Sequence, residues 1–194
     1  MLQISNVPKP RITVGPALEP VTLTEAKKQC EISTTDTTHD QQLALLIEQS
    51  RMQWEDDTQE HYIAQTWEMK IPYLCEFQLP HRPVASITSL TYFDTGNSSQ
   101  TLASSVYELD VSRGAIRLKY LQFFPATSDR WDAATVTYVL GSHTSALTVP
   151  AIAKSAMLLL VGYYWLKNRG DFDSPNDLAA YERLVAKYMR STYP

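Results

Sequence analysis

The period of the hydrophobic pattern changes twice along this chain, and that limits the folds open to it. Between about residues 39 and 61, Leu43, Leu46, Ile47 and Trp54 recur at helical spacing, with Ser50 filling a gap in the stripe. From about 65 to 141 the period falls to two. Trp67, Met69 and Ile71 alternate with Thr66, Glu68 and Lys70. The alternation returns in Tyr107, Leu109 and Val111, in Ile116, Leu118 and Tyr120, and in Val136, Tyr138 and Leu140. Helical signals resume at Thr148. Strands enclosed by helices predict an α+β fold: a bundle of about four helices with an inserted antiparallel β region of about six short strands.

Local signals place the elements. Pro8, Pro10, Pro16 and Pro20 remove backbone donors and bias their neighbours toward extended geometry, so residues 1–20 read as an extended arm. Residues 21–194 then form one domain. Thr22 and Glu25 fit a capping box opening a helix over about 22–31, and Thr38 to Gln41 reads as a second one before the helix at about 39–61. Pro150 opens a helix over about 149–168 that is apolar nearly all round and should be buried on most sides. Ser174-Pro175 opens the last, over about 175–190, with Leu178, Tyr181, Leu184, Val185 and Tyr188 as its stripe. Strands are expected near 76–79, 86–93, 106–111, 115–120 and 135–140. Turns fall at Asp94 to Asn97 and at Ser112 to Gly114, and a longer loop spans 121–133.

Composition excludes several classes. With 44% hydrophobic and 20% charged residues in 194, the chain is globular rather than disordered. A net charge of −4 argues against a surface built to hold nucleic acid, which needs clustered Lys and Arg. Cys30 and Cys75 have no ligand spacing, so neither a zinc ribbon nor a disulfide scaffold is indicated, and free thiols in a reducing cytosol are expected. The most apolar run, Met157 to Leu166, is far shorter than the ~20 residues a bilayer span needs. No membrane or targeting segment is expected.

Catalytic motifs are wanting. Six ungrouped glycines give no dinucleotide fingerprint and no P-loop, and no serine sits in a nucleophile motif. Asp57 and His61, four apart, would share a face of the second helix. With Asp56 and Glu60 they offer the alternative reading, a metal-dependent enzyme. Glu55, Asp56, Asp57 and Glu60 read more simply as a solvated helix face. No catalytic, cofactor-binding or metal-binding residue is assigned, and no cofactor is implied. The aromatics Phe123, Phe124, Trp131, Phe172 and Tyr193 fall in loops or near a terminus, where they either pack locally or form an interface.

Four stretches in this order resemble the head-to-tail connector proteins of tailed bacteriophages, also called head-completion or adaptor proteins. They are Pro20 to Lys27, Gln65 to Glu68, Leu79 to Val84 leading into Ser86 to Tyr92, and Val149 to Ile152 opening Leu158 to Val161 with Tyr163 to Trp165 and Asn168-Arg169. The likeness covers about residues 20–190. Residues 1–19 match nothing in that pattern, and the last helix matches only in type. The resemblance implies a structural virion protein at the head–tail junction, assembled in the host cytoplasm. It would form a ring, usually twelve-fold, beneath the portal protein, extend the DNA channel and dock a stopper or other tail-completion protein. It implies portal contacts at Tyr188, Arg190 and Tyr193, and leaves Phe123, Phe124, Trp131 and Phe172 for neighbouring subunits or the tail. Twelve copies at −4 each would carry −48, so double-stranded DNA would pass a neutral or acidic lumen without specific binding. The runner-up within this class is another assembly protein, a stopper or tail terminator.

Overall fold

The computed structural model describes residues 9–170 and 175–192, with the side chains of 175–177 and 190–192 excepted. The fold is α+β, with four α-helices and eight strands among the described residues. The chain divides into two compact units. A helical unit is made from residues 18–63 and 143–194, and a β unit from 1–17 and 64–142.

In the helical unit, α1 (Leu23–Gln29) starts with the expected capping box: Thr22 Oγ1 accepts from the Glu25 amide at 3.2 Å, and the Glu25 carboxylate accepts from the Thr22 amide at 2.8 Å. The second expected box does not form. Helix α2 (Asp40–Thr58) is capped by His39 without a side-chain bond. The Thr38 amide instead donates to Asp36 at 2.9 Å, and Asp40 lies 2.6 Å from buried Lys27 Nζ. The Asp36 carboxylate holds the turn before the helix, and the helix starts one residue later than the box requires. Leu43, Leu46, Ile47 and Trp54 are all buried, and Ser50 Oγ donates back to the Leu46 carbonyl at 2.7 Å. They pack with α3 (Ala151–Asn168), which exposes only Ala151, Ser155, Lys167 and Asn168, and with Tyr181 of α4 (Pro175–Thr192). Among the described residues no helix is long and apolar enough to cross a membrane.

The β unit has two antiparallel sheets. Its strands are β1 (Arg11–Val14), β2 (Gln65–Ile71), β3 (Phe77–Gln78), β4 (Val84–Phe93), β5 (Ser99–Thr101), β6 (Tyr107–Asp110), β7 (Ala115–Leu118) and β8 (Ala134–Leu140). The larger sheet has the order β1-β2-β8-β4-β5 and the smaller β3-β7-β6. Strands β2 and β8 bury alternate residues along their full length, as the period of two requires. Tyr138 lies at the centre of the larger sheet, in register with Trp67 on one side and Ile87 on the other. The β6–β7 turn depends on Gly114, whose φ is +63° and where an added Cβ would lie 3.3 Å from Val84 Cγ2.

Three differences from the sequence reading have physical causes. Part of the arm is a strand, because Ile12 finds Trp67 and completes the edge of the larger sheet. Strand β7 stops at Leu118, and Tyr120 is 88% exposed in the turn beyond it. Val111 likewise falls past the end of β6 and is exposed. A two-residue period continues by chance beyond a strand end that the hydrogen-bonding partner decides. Cys30 and Cys75 are free thiols. Burial pushes the Cys30 thiol up to about 11 and raises that of Cys75.

Candidate functional site

The β7–β8 connection, residues 119–133, is pinned at both ends. The Lys119 amide donates to the Val106 carbonyl at 2.9 Å and Lys119 Nζ to the Ser104 carbonyl at 2.9 Å. The Gln122 amide closes a turn on the Lys119 carbonyl at 3.0 Å. At the other end Thr127 bridges to Asp94, and the Ser128 amide donates to the Phe93 carbonyl at 2.9 Å. The Arg130 guanidinium lies 3.8 Å from the Phe93 ring centroid and bonds Asn97 and Asp132 at 3.0 Å each. Between these anchors the loop turns apolar side chains to solvent: Tyr120 is 88%, Leu121 74% and Phe123 83% exposed, and Trp131 follows at 78%. Leu121 takes a left-handed φ of +57°, which an unbranched-Cβ residue tolerates at a cost.

Of the four aromatics singled out as interface residues, Phe123 and Trp131 are therefore exposed. Phe124 is partly buried against the β-unit core, and Phe172 lies outside the described residues. Tyr120 and Leu121, not singled out, extend the exposed set. The available signal was three apolar residues in five positions directly after a strand.

The acidic stretch at the end of α2 is solvated in part: Asp56 and Asp57 are exposed, Glu60 is half-buried and Glu55 is buried. The helix stops at Thr58 because Gln59 takes a left-handed cap, φ +58°. Asp57 and His61 therefore do not share a helix face, which corrects the premise of the metal reading. Glu55 is buried, 2.9 Å from Arg51 and 3.4 Å from His61 Nδ1. Asp57 accepts from the Tyr181 hydroxyl, whose pKa is raised by burial and then by that bond. Glu60 accepts from the Tyr188 hydroxyl at 2.7 Å, and Tyr188 also lies 3.0 Å from the Tyr62 hydroxyl and 5.3 Å from the Trp54 ring. The exposed Asp56 side chain takes no part in these contacts. The carboxylates fasten α4 to the end of α2. Among the described residues no three His, Cys, Asp or Glu side chains gather as a metal-binding group. Tyr188, expected at a portal contact, is half-buried in this clasp; the side chain of Arg190 and all of Tyr193 lie outside the described residues.

Sequence periodicity also missed Arg51, which is on the inner side of α2. Its side chain is 6% exposed, and its guanidinium bonds Glu19 at 2.8 Å as well as Glu55. Burial raises the Glu19 pKa, against the opposing pull of Arg51. Close by, Leu18, Val21, Leu23, Ala44, Ile47 and Ala146 line an open cavity of about 450 Å³ on the helical unit, together with the polar Glu19, Thr22, Thr144 and Ser145.

No protein-family profile matches the chain, and no curated protein matches it. Solved structures do. A chain from the virion of a native gene transfer agent (GTA) particle superposes with a TM-score of 0.70 at 17% identity, over 90% of this chain and 94% of that one. A chain from the neck of an empty GTA particle, computed with C6 symmetry, gives 0.63 at 18% identity, over 80% and 83%. A chain from the neck of a native GTA particle, computed with C12 symmetry, gives 0.58 at 19% identity, over 89% and 94%. The chain shares its fold with these particle components.

Proposed function

We propose that this chain is a structural subunit of a phage-like particle, the connector or adaptor of its head–tail neck. The observation that carries the reading is the fold match to virion and neck chains of a GTA particle, which runs through most of both partners and includes a neck treated as twelve-fold. In this reading the subunits close into a ring, with twelve copies expected, below the portal protein. The ring lengthens the DNA channel and presents a docking surface for a stopper or other tail-completion protein. Its work is assembly rather than catalysis.

Each surface then has a use. The loop carrying Phe123 and Trp131 puts aromatic area where an interface needs it, at subunit or tail contacts, with Phe124 as its inner anchor. Phe172 belongs to the same proposed set. The C-terminal segment addresses the portal through Tyr188, Arg190 and Tyr193, with the Tyr188 hydroxyl also bonded to Glu60. With −4 per subunit, the lumen presents DNA with few cations, so the phosphates slide.

Native mass spectrometry of the chain mixed with the portal ring of the same particle tests this. One copy per portal subunit is the expected complex. A folded chain that forms no complex with the portal refutes the connector role.

A further inference from the structure

Three apolar side chains in one loop, Tyr120, Leu121 and Phe123, are at least 74% exposed, and Leu121 is held in a left-handed conformation to present them. Backbone strain and solvent-facing aromatic area both oppose folding, so their joint presence points to a use outside the monomer. The helical unit carries a mainly apolar concavity: the open cavity of about 450 Å³ lined by Leu18, Val21, Ala44, Ile47 and Ala146, with Thr22, Thr144 and Ser145 beside them. That is ample for an aromatic ring. Leu147, beside Ala146 in sequence, is 86% exposed and widens the apolar area around it.

We infer that the 120–123 knob of one copy docks in the 18–47/146 cavity of the next copy, making the subunit contact of the proposed ring; this rests on the connector reading. Two observations select a second copy as the occupant. The first is charge. Residues 119–128 carry Lys119 and no carboxylate, while the cavity wall carries Glu19 and no cation. Glu19 engages Arg51 through Oε2, yet its side chain stays 31% exposed toward an incoming group. The second is area. Burying two aromatics and a leucine removes on the order of 400–500 Å² from one partner, about half of the ~800 Å² per partner in a stable complex. The contact is therefore too small to hold two free copies together and suits a subunit that associates once a template aligns many copies. Knob and cavity are different surfaces of one chain, so the contact is heterologous and repeats around a closed ring.

Paired cysteine substitutions test the contact in the full chain. Copies bearing Phe123→Cys are mixed with copies bearing Ala146→Cys on the portal ring and oxidised, with each variant alone as the background for Cys30 and Cys75. A covalent dimer appearing only in the mixture is expected, and a single chain bearing both substitutions should give a ladder of oligomers. Native mass spectrometry of the wild-type chain with the same portal runs beside it. A ring that forms without the mixed cross-link, with the cysteine at 123 still reactive to maleimide, leaves the loop to a tail partner and overturns the contact while the connector reading stands. A cross-link between two Phe123→Cys copies overturns it as well. No ring and no cross-link overturns both.

Discussion

Replacing Tyr138 by phenylalanine should make this protein more stable, although Tyr138 is the central residue of its larger sheet. The side chain is fully buried between Trp67 and Ile87, and its hydroxyl finds no hydrogen-bond partner among the described residues. A buried polar group left unpaired costs about 1–3 kcal/mol. Removing the oxygen leaves a void of roughly 10 Å³, which at ~24 cal/mol per Å³ returns about 0.2 kcal/mol of that. The net expectation is a gain of about 1 kcal/mol or more, equivalent to a rise in Tm of about 2–4 °C per kcal/mol for a chain of this length. Urea unfolding followed by circular dichroism measures it. Alkaline titration supplies a second readout. Burial raises the Tyr138 pKa above its ordinary 10.0, so the unfolded chain releases this proton first. The stability held below pH 10 is then lost as pH rises through that value. Tyr138→Phe should flatten that loss, leaving the parts due to Tyr107 and Tyr181, which burial also raises. A loss of more than about 1 kcal/mol in the variant, with an unchanged alkaline slope, would refute the reasoning.

Other consequences are as concrete. Arg51→Met removes the guanidinium from buried Glu55, which keeps His61 at 3.4 Å, and from partly buried Glu19, and should cost about 3 kcal/mol in denaturant unfolding; Glu48→Gln, which touches Arg51 only at 3.9 Å from an exposed position, should cost under about 1 kcal/mol. Gly114→Ala forces a Cβ into a left-handed turn against Val84 and should cost about 1–2 kcal/mol, with protection from amide exchange lost first in β6 and β7. Asp94 is held below its ordinary 3.8 by the Ser98 amide, and Asp110 by the Ser112 hydroxyl. Their contributions are present above pH 3.8 and vanish as pH falls through the lower folded values, so the β4–β5 and β6–β7 hairpins should lose amide protection on acidification below that point. Unchanged protection there at low pH would contradict the assignment.

What could be read early was whatever a few neighbouring residues settle among themselves. The Thr22–Glu25 cap, the Gly114 turn, the buried stripe Leu43, Leu46, Ile47 and Trp54, and the alternation in β2 and β8 each depend on a backbone period or on groups within four positions. The end of α2 was less legible, because a left-handed Gln59 carries no signal comparable to glycine. In the 119–133 loop the exposure of Phe123 and Trp131 was one of two open readings, but adjacent Phe124 turns inward. An irregular segment has no period to separate such neighbours.

The amino-acid order by itself determined the α+β class, the place of the strands between the helices and the absence of a nucleotide-binding glycine loop, since these follow from local geometry. Tertiary structure alone decided the rest. It made a strand of Arg11–Val14 by offering the edge of β2, more than fifty residues away. It buried Arg51 between Glu19 and Glu55, and tied Asp57 and Glu60 of the acidic row to the hydroxyls of Tyr181 and Tyr188. A charge is buried or exposed according to the partners that long-range packing brings within hydrogen-bonding distance, and those partners are set by chain closure rather than by sequence neighbours.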